Sequence, residues 1–405
     1  MLAALLLCSS TLGSSFGPPE QGLDQSDKYI VTLKPGVDVL QHLALVRHIH
    51  ARNQKHKPHN GIYHGITYHY SISDFQAYAG HFHPDAVDQI KSIEDVEDIE
   101  TDKIFTLDSI MKQDEPPYAL NLISHRGLGQ DHKGYSYDKS AGQGTYAYVI
   151  DSGVEVDHQD FEGRAFHGHT VDPNMPEGDD VGHGTFVAGI IGSKTFGVAK
   201  KCELISVKTF EKRAAHASTI MMGYDWAVKD ILLSKRERNS VINMSLGGPL
   251  HKSFNRAIDK AFGMGITTVV SAGNNNEDVA NHSPASAAGA ISVAATDAYR
   301  VRAPFSNWGS VSLFATGQRV SSTWPTETND ANRTFSGTSY AAPYVAGIAL
   351  YLQGISCFSN SNSLKRTILQ LATPKVVGDS KGSTNLFAYN NGGSRLGVRG
   401  PCLGG

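Results

Sequence analysis

Three short stretches of the chain carry groups that could work together. "AYVIDSGV" closes an apolar run on an aspartate, Asp151. "DDVGHGTFVAGIIG" sets His183 between two glycines ahead of a second apolar run, and "FSGTSYAAPYVAG" places Ser339 at the start of a third. A serine hydroxyl is a poor nucleophile until a base takes its proton. An imidazole suits that task near neutral pH, and a carboxylate can hold the imidazole in one tautomer and stabilise its protonated form. The three types together spell attack on a carbonyl. Such an attack creates an oxyanion that needs fixed donors. Asn274 in "SAGNNN" offers a side-chain amide, and the Ser339 N–H, at a helix N-terminus, offers a second. Each residue alone has a plainer reading. An aspartate after a strand is commonly a turn residue, a serine before a helix commonly its N-cap, and an asparagine in a polar loop commonly a turn former.

The weight comes from where these residues fall, which is at the ends of strands. From Ala141 onward, apolar strand-like runs ("TYAYVID", "ELISVKTF", "SVINMSLGG", "ITTVVSAGN", "AISVAAT") alternate with helical ones ("STIMMGYDWAVKDIL", "SFNRAIDKAFGMG"). Near-continuous apolar strands separated by helices indicate an α/β fold, a doubly wound and mostly parallel sheet with helices on both faces. Such sheets bind ligands beyond the carboxyl ends of their strands. Pro343, four residues after Ser339, is expected in the first turn of its helix, where N–H groups have no intrahelical partner to lose. Upstream, residues from about 21 to 108 read as strand, helix, strand, helix, strand, a small α/β domain of the ferredoxin-like kind. "SIMKQDEPPYAL" reads as a linker between the two blocks.

Composition limits the alternatives. With 405 residues, 40% hydrophobic and 19% charged, and a net charge of −3, the chain suits two or three globular domains and offers no basic surface for nucleic acid. The run Leu2 to Cys8 reads as a short secretory signal within residues 1–20, hence an extracellular protein. No other stretch reaches the roughly 18 apolar residues of a spanning helix, so no membrane partner is expected. With Cys8 removed, Cys202, Cys357 and Cys402 allow one disulfide at most; Cys357–Cys402 is one option and free buried thiols the other. The pairs His48/His50, His81/His83 and His167/His169 lack a third ligand at convincing spacing, so no metal is expected there. Sequons occur at Asn243, Asn281 and Asn332. The first is expected to be buried and the other two to be glycosylated in loops. Residues 391–405 are Gly-rich and expected to be disordered.

The segments "VIDSGV", "GHGTFVAG", "NMSLGG", "VVSAGNNN" and "FSGTSYAAPYVAG" resemble, in this order, those of the subtilisin-like serine proteases, in particular the secreted fungal proteinase K-like branch. The resemblance implies an inhibitory propeptide over 21–108 and a peptidase domain over 109–390. It implies catalytic roles for Asp151, His183 and Ser339, in the Asp, His, Ser order that subtilisins are known for. Asn274 and the Ser339 N–H would form the oxyanion hole. The edge Ser245, Leu246, Gly247 and Gly248 would pair with an extended peptide, facing a strand near Arg213-Ala214-Ala215. Ser271, Ala272 and Gly273 would wall a pocket for apolar or aromatic P1 side chains.

The implied protein is a secreted serine endopeptidase that acts on protein or peptide substrates through an acyl-enzyme. It needs no catalytic cofactor, is a monomer, and is made as a self-processing zymogen inhibited by its own propeptide. Cleavage is expected between Asp108 and Ser109, with "DKIFTLD" lying in the cleft as a product-like strand. Nine of the chain's 18 histidines fall in the propeptide block, and acidification through about pH 6.5 would charge them and loosen its hold. One departure concerns calcium. The branch places a ligating aspartate where this chain reads Leu313, beside the carbonyls of Ala288 and Ala290, and leucine offers no oxygen. Two rivals remain. An esterase of the α/β-hydrolase type would want G-x-S-x-G and the order Ser, Asp, His, against Gly337-Thr338-Ser339-Tyr340-Ala341 here. A catalytically silent binding protein would need a distorted site.

Overall fold

Along β1 (Lys28–Leu33), Val31 and Leu33 are buried and Thr32 between them is not, the period-two alternation of a strand covered on one face. The computed structural model describes residues 27–53, 63–103, 110–128 and 133–394. The chain divides after Asp108 into two units, and β1 opens the first. α1 (Val39–Asn53) buries Leu43, Val46 and Ile49 at helical spacing. β2 (Gly65–Ile72) and β3 (Phe75–His81) form a hairpin. α2 (Pro84–Lys91) starts on Pro84, with the His83 ring accepting from the Asp85 N–H, and β4 (Val96–Thr101) follows. The sheet order is β2-β3-β1-β4, every pair antiparallel, with Val31 opposite Tyr78 on one side and Ile99 on the other. This is the ferredoxin-like arrangement, with one strand more than the sequence showed. "GITYHYSIS" ends in a tight turn at Ser73 (φ 54°), and a second strand follows.

The second unit begins with structure where a linker was expected. β5 (Ile110–Gln113) pairs with β6 (Tyr135–Asp138), and α3 (Tyr118–Ser124) starts directly after the two prolines. Its main sheet contains β7 (Tyr146–Asp151), β8 (Ala165–Thr170), β9 (Glu203–Lys208) and β10 (Ser240–Met244). Between them lie α4 (His183–Gly192) and α5 (Ala217–Leu233). The short β11 (Gly248–Pro249) precedes α6 (Lys252–Gly263) and β12 (Thr267–Ser271); β13 (His282–Ser283) pairs back onto β11. β14 (Ile291–Thr296) and β15 (Leu313–Thr316) continue the sheet, and β16 (Val320–Trp324) and β17 (Ala331–Phe335) form a separate hairpin. α7 (Thr338–Ile355), α8 (Ser361–Leu371) and the edge strands β18 (Thr373–Pro374) and β19 (Leu386–Phe387) complete it. The strand order is β18-β19-β15-β14-β12-β10-β7-β9-β8, parallel throughout except for β18.

Every residue of β10, β12 and β14 is buried, as a parallel sheet covered on both faces requires. α4 and α7 pack together against β7, and α5 and α6 pack together with β7 and β12 under them. The Gly-rich tail does not begin disordered at 391, because Asn391–Gly393 form a 3-10 turn anchored by Asn390, whose amide donates to the Ser136 carbonyl. Cys357 is disulfide-bonded and Cys202 is a buried free thiol. Among the described residues no helix is long and apolar enough to cross a membrane.

Candidate active site

Asp151 ends β7 and His183 begins α4, so two neighbouring elements deliver them to one point. His183 Nδ1 and Asp151 Oδ1 are 2.7 Å apart, and the same oxygen accepts from the Ser152 N–H. The approach of α4 to this strand end requires glycine. A Cβ on Gly184 would sit 2.0 Å from the Gly153 carbonyl oxygen. A residue passed over in the sequence holds the histidine in place. The buried Asp179 accepts from the N–H groups of Gly182 and Thr185 and from the hydroxyls of Ser152 and Thr185. It supplies the negative charge that a helix N-terminus favours; an aspartate just before a helix start was the available signal. For His183, burial works against the imidazolium, but the charge and hydrogen bond of Asp151, with the charge of Asp179, outweigh it. Arg213 opposes them, and the net pKa is raised.

Ser339 is the second residue of α7. Pro343 therefore lies beyond the first turn, not within it. Its missing N–H would have bonded to the carbonyl four residues back, and that carbonyl belongs to Ser339 itself. Ser245 Oγ donates to this carbonyl at 2.7 Å and is held in turn by the Asn243 amide at 3.0 Å. The proline thus hands the serine's carbonyl to another strand end. Asn274 Oδ1 accepts from the Thr338 N–H (2.8 Å) and the Thr338 hydroxyl (2.9 Å). Its oxygen is thereby engaged, and its NH2 is left as a donor beside Gly337. The Ser339 N–H has no acceptor among the described residues. No hydrogen bond joins Ser339 Oγ to His183 among them either; such bonds are often long in resting sites and tighten around substrate. Asn307, also missed, is buried and shapes the Asn274 loop. It accepts from the N–H groups of Asn275 and Glu277 and donates to the Ala272 carbonyl.

Two adjoining pockets sit here, sharing Leu246 and Gly247. The first, about 300 Å³, is lined by Asp151, His183 and Ser245 together with Lys212, Arg213, Trp324, Phe335 and Tyr340. The second, about 470 Å³, is lined by Gly248, Ser271, Ala272, Gly273, Asn274 and Ser339. The sequence reading missed the aromatic wall of the first. Tyr340 lies 4.6 Å from Phe186 and 5.7 Å from His183, ring centre to ring centre, and burial pushes its pKa up to about 12. It also missed the Glu277–His282 pair, 2.8 Å apart, in the second pocket. Residues 209–216 form no strand, so Arg213 reaches the site from a loop.

Other sequence expectations fall elsewhere. Asp108 and Ser109 lie outside the described residues. Asn243 is buried, whereas Asn281 and Asn332 are exposed. His169 stacks on Trp226. Leu313 is buried in the core, and the cavity beside Ala288 and Ala290 is lined instead by Ser312, the residue before β15, with Ser292, Ser310 and Lys365. That cavity offers no carboxylate, and the two carbonyls are already taken by the Lys365 ammonium. This set does not fit calcium, which takes about six to eight oxygen ligands.

The comparisons with known proteins agree with this geometry. The subtilase family matches residues 142–392, and the peptidase inhibitor I9 family matches residues 28–108. Alkaline protease 1 of Aspergillus clavatus is 44% identical over 400 residues, covering 95% of this chain and 98% of that protein. The alkaline proteinase of Hapsidospora chrysogena is 40% identical over 382 residues, covering 91% and 92%. Among solved structures, a cold adapted subtilisin-like serine proteinase matches with a TM-score of 0.62 and 35% identity, over 68% of this chain and 98% of that one. Fold and relatives together define a serine endopeptidase made as a zymogen, with peptides as substrates and an I9 propeptide as inhibitor. The chain belongs to the subtilase family.

Proposed function

We propose that Ser339 is the nucleophile, His183 the general base and Asp151 the group that orients it, in a secreted endopeptidase working through an acyl-enzyme. Ser339 Oγ attacks the peptide carbonyl while its proton passes to His183 Nε2. The oxyanion is held by the Asn274 amide and the Ser339 N–H. Collapse expels the amine, which takes the proton from His183. A water, deprotonated by the same imidazole, then cleaves the ester. The observation that carries this reading is the engagement of Asn274 Oδ1 by Thr338, which turns the amide donor toward the cleft beside a free Ser339 N–H. The small walls of the second pocket, Gly247, Gly248, Ala272 and Gly273, suit apolar or aromatic P1 side chains. Alkaline working conditions agree with the raised pKa of His183 and with the names of the relatives. Secretion, self-cleavage near Asp108–Ser109, a monomeric mature form and glycans on the exposed Asn281 and Asn332 complete the proposal.

The test is active-site labelling. The full chain and its Ser339→Ala variant are expressed in a secreting host and treated with a fluorophosphonate. The native chain is expected to shorten to a form starting near residue 109 and to take the label, while the variant stays long and unlabelled. A folded native chain that refuses the label, even after added protease removes the propeptide, would overturn the reading in favour of a silent binding protein.

A further inference from the structure

Residues 288–290, just before β14, are held from two helices by charged side chains. The Gly289 N–H donates to Asp259 Oδ1 of α6 at 2.7 Å. The carbonyls on either side, Ala288 and Ala290, accept from Lys365 Nζ of α8 at 2.9 and 2.7 Å. α6 presses close enough that a Cβ on Gly289 would lie 2.8 Å from Phe262 Cβ. The ammonium also stands 5.5 Å from the centre of the Phe262 ring, a cation–π distance. α8 is fixed where it presents this lysine. Asn360 and Ser363 form a capping box, and Ser361 Oγ donates to the Phe262 carbonyl. The clamped segment continues into the active site, because Ser283 and Ala285 line the pocket that Ser339 borders.

Two carbonyls from alternate residues converging on one point, with serines 292, 310 and 312 around the cavity, make an oxygen-rich setting that calls for a cation. We infer that the Lys365 ammonium is a built-in substitute for a structural divalent cation, clamping residues 288–290 and steadying the pocket wall beside Ser339 without calcium. A tethered cation cannot be removed by a chelator or diluted away. It also carries three donors on one centre, enough for both carbonyls. The inference rests on packing and holds whatever the catalytic roles prove to be.

The test uses the full chain carrying Ser339→Ala, which keeps self-digestion out of the measurement, and reads apparent melting temperature at a fixed scan rate with calcium or with a chelator. Lys365→Met is expected to lower it by about 3–8 °C in either condition, the scale of two lost charge-assisted bonds, and Lys365→Arg to recover most of that loss. Ser312→Asp combined with Lys365→Ala trades the ammonium for a carboxylate beside the same carbonyls. It is expected to regain stability in calcium and lose it with the chelator, a response absent from the Ser339→Ala background. Lys365→Met melting like the background would overturn the inference. So would a background that loses as much to the chelator as Lys365→Met loses outright, since a bound metal would then be the clamp. A double variant blind to calcium would reduce Lys365 to an ordinary surface bond and overturn the substitution as well.

Discussion

Both units of this chain are α/β, yet they use their sheets in opposite ways. In the first, two helices cover one face of the sheet. α1 and α2 pack on Val31, Leu33, Tyr78 and Phe82, while Tyr68, Ile72 and Phe75 remain 63%, 69% and 45% exposed on β2 and β3. The central strands β10, β12 and β14 of the second are buried along their whole length, β7 ends on Asp151, and Ser245 and Asn274 follow one and three residues after β10 and β12. A fixed dipole stabilises a transition state only if it need not reorganise, and a two-faced core supplies that rigidity. A unit of roughly 80 residues with one small core has a stability of only about 4–12 kcal/mol, which suits a part made to be discarded. Chemistry and bulk stability should therefore separate in the peptidase unit, whereas single side chains should decide folding in the propeptide unit.

The largest effect should come from Asp151→Asn. With the wrong tautomer presented to Ser339, kcat is expected to fall by about 10⁴-fold while the melting temperature barely moves. Peptide hydrolysis after removal of the propeptide by added protease measures the first and calorimetry the second. A fall in stability as deep as that of a core truncation would break the separation. Next, Phe82→Ala removes a fully buried ring from the first unit, at about 3–5 kcal/mol, a large share of what that unit has. Leu350→Ala, equally buried in α7, costs about 2–5 kcal/mol from a far larger reserve. Hydrogen exchange on the Ser339→Ala chain should show protection lost across residues 28–101 in the first variant and kept in the peptidase sheet in the second. Equal collapse in both would erase the contrast. Asn274→Leu should then lower kcat by about 10²–10³-fold with KM little changed, a magnitude that belongs to subtilisins themselves. A change confined to KM would instead make Asn274 a binding residue.

What could be read in advance follows the same division. Asp151, His183, Ser339 and Asn274 could be singled out as candidates because each sits beside glycines or small residues, Asp151 and Asn274 at or just after a strand end and His183 and Ser339 at a helix start, a local pattern. Pro343 was legible as an oddity but not as an answer. Its meaning lies in the bond from Ser245 to the Ser339 carbonyl, across 94 positions of sequence. The Lys365 clamp spans 75 and 77 positions, and nothing near a lysine on an amphipathic helix announces two carbonyls from another segment. The aromatic wall of Trp324, Phe335 and Tyr340 was hidden because its members read as core or hairpin residues until β16 and β17 are paired. In the first unit the β2–β3 hairpin was missed because its turn at Ser73 carries no glycine or proline, the usual marks of a turn.

The two units also place histidines under opposite pressure, which yields the smallest but most discriminating prediction. Burial, with the neighbouring charges of His81 and His64, lowers the pKa of His50. The folded first unit then binds fewer protons there than the unfolded chain does. Its contribution to stability is present above about pH 6.5 and is lost as pH falls through the lower folded value. His183 is the reverse. Burial disfavours its charge, but Asp151 and Asp179 raise its pKa overall. Its contribution to stability is full below about pH 6.5 and is lost as pH rises through the raised folded value, just where the neutral base becomes competent. The acid limb of kcat/KM should therefore lie above about 6.5. Arg213→Ala should move it higher still, because Arg213 is the charge that opposes the imidazolium. Protection factors in residues 28–101 should fall on acidification below about pH 6.5, where the peptidase base is already charged and idle. An acid limb that stays put or moves down in the Arg213 variant would show that this loop charge does not reach the site. A pH-independent first unit would show that the burial of His50 does not couple to folding.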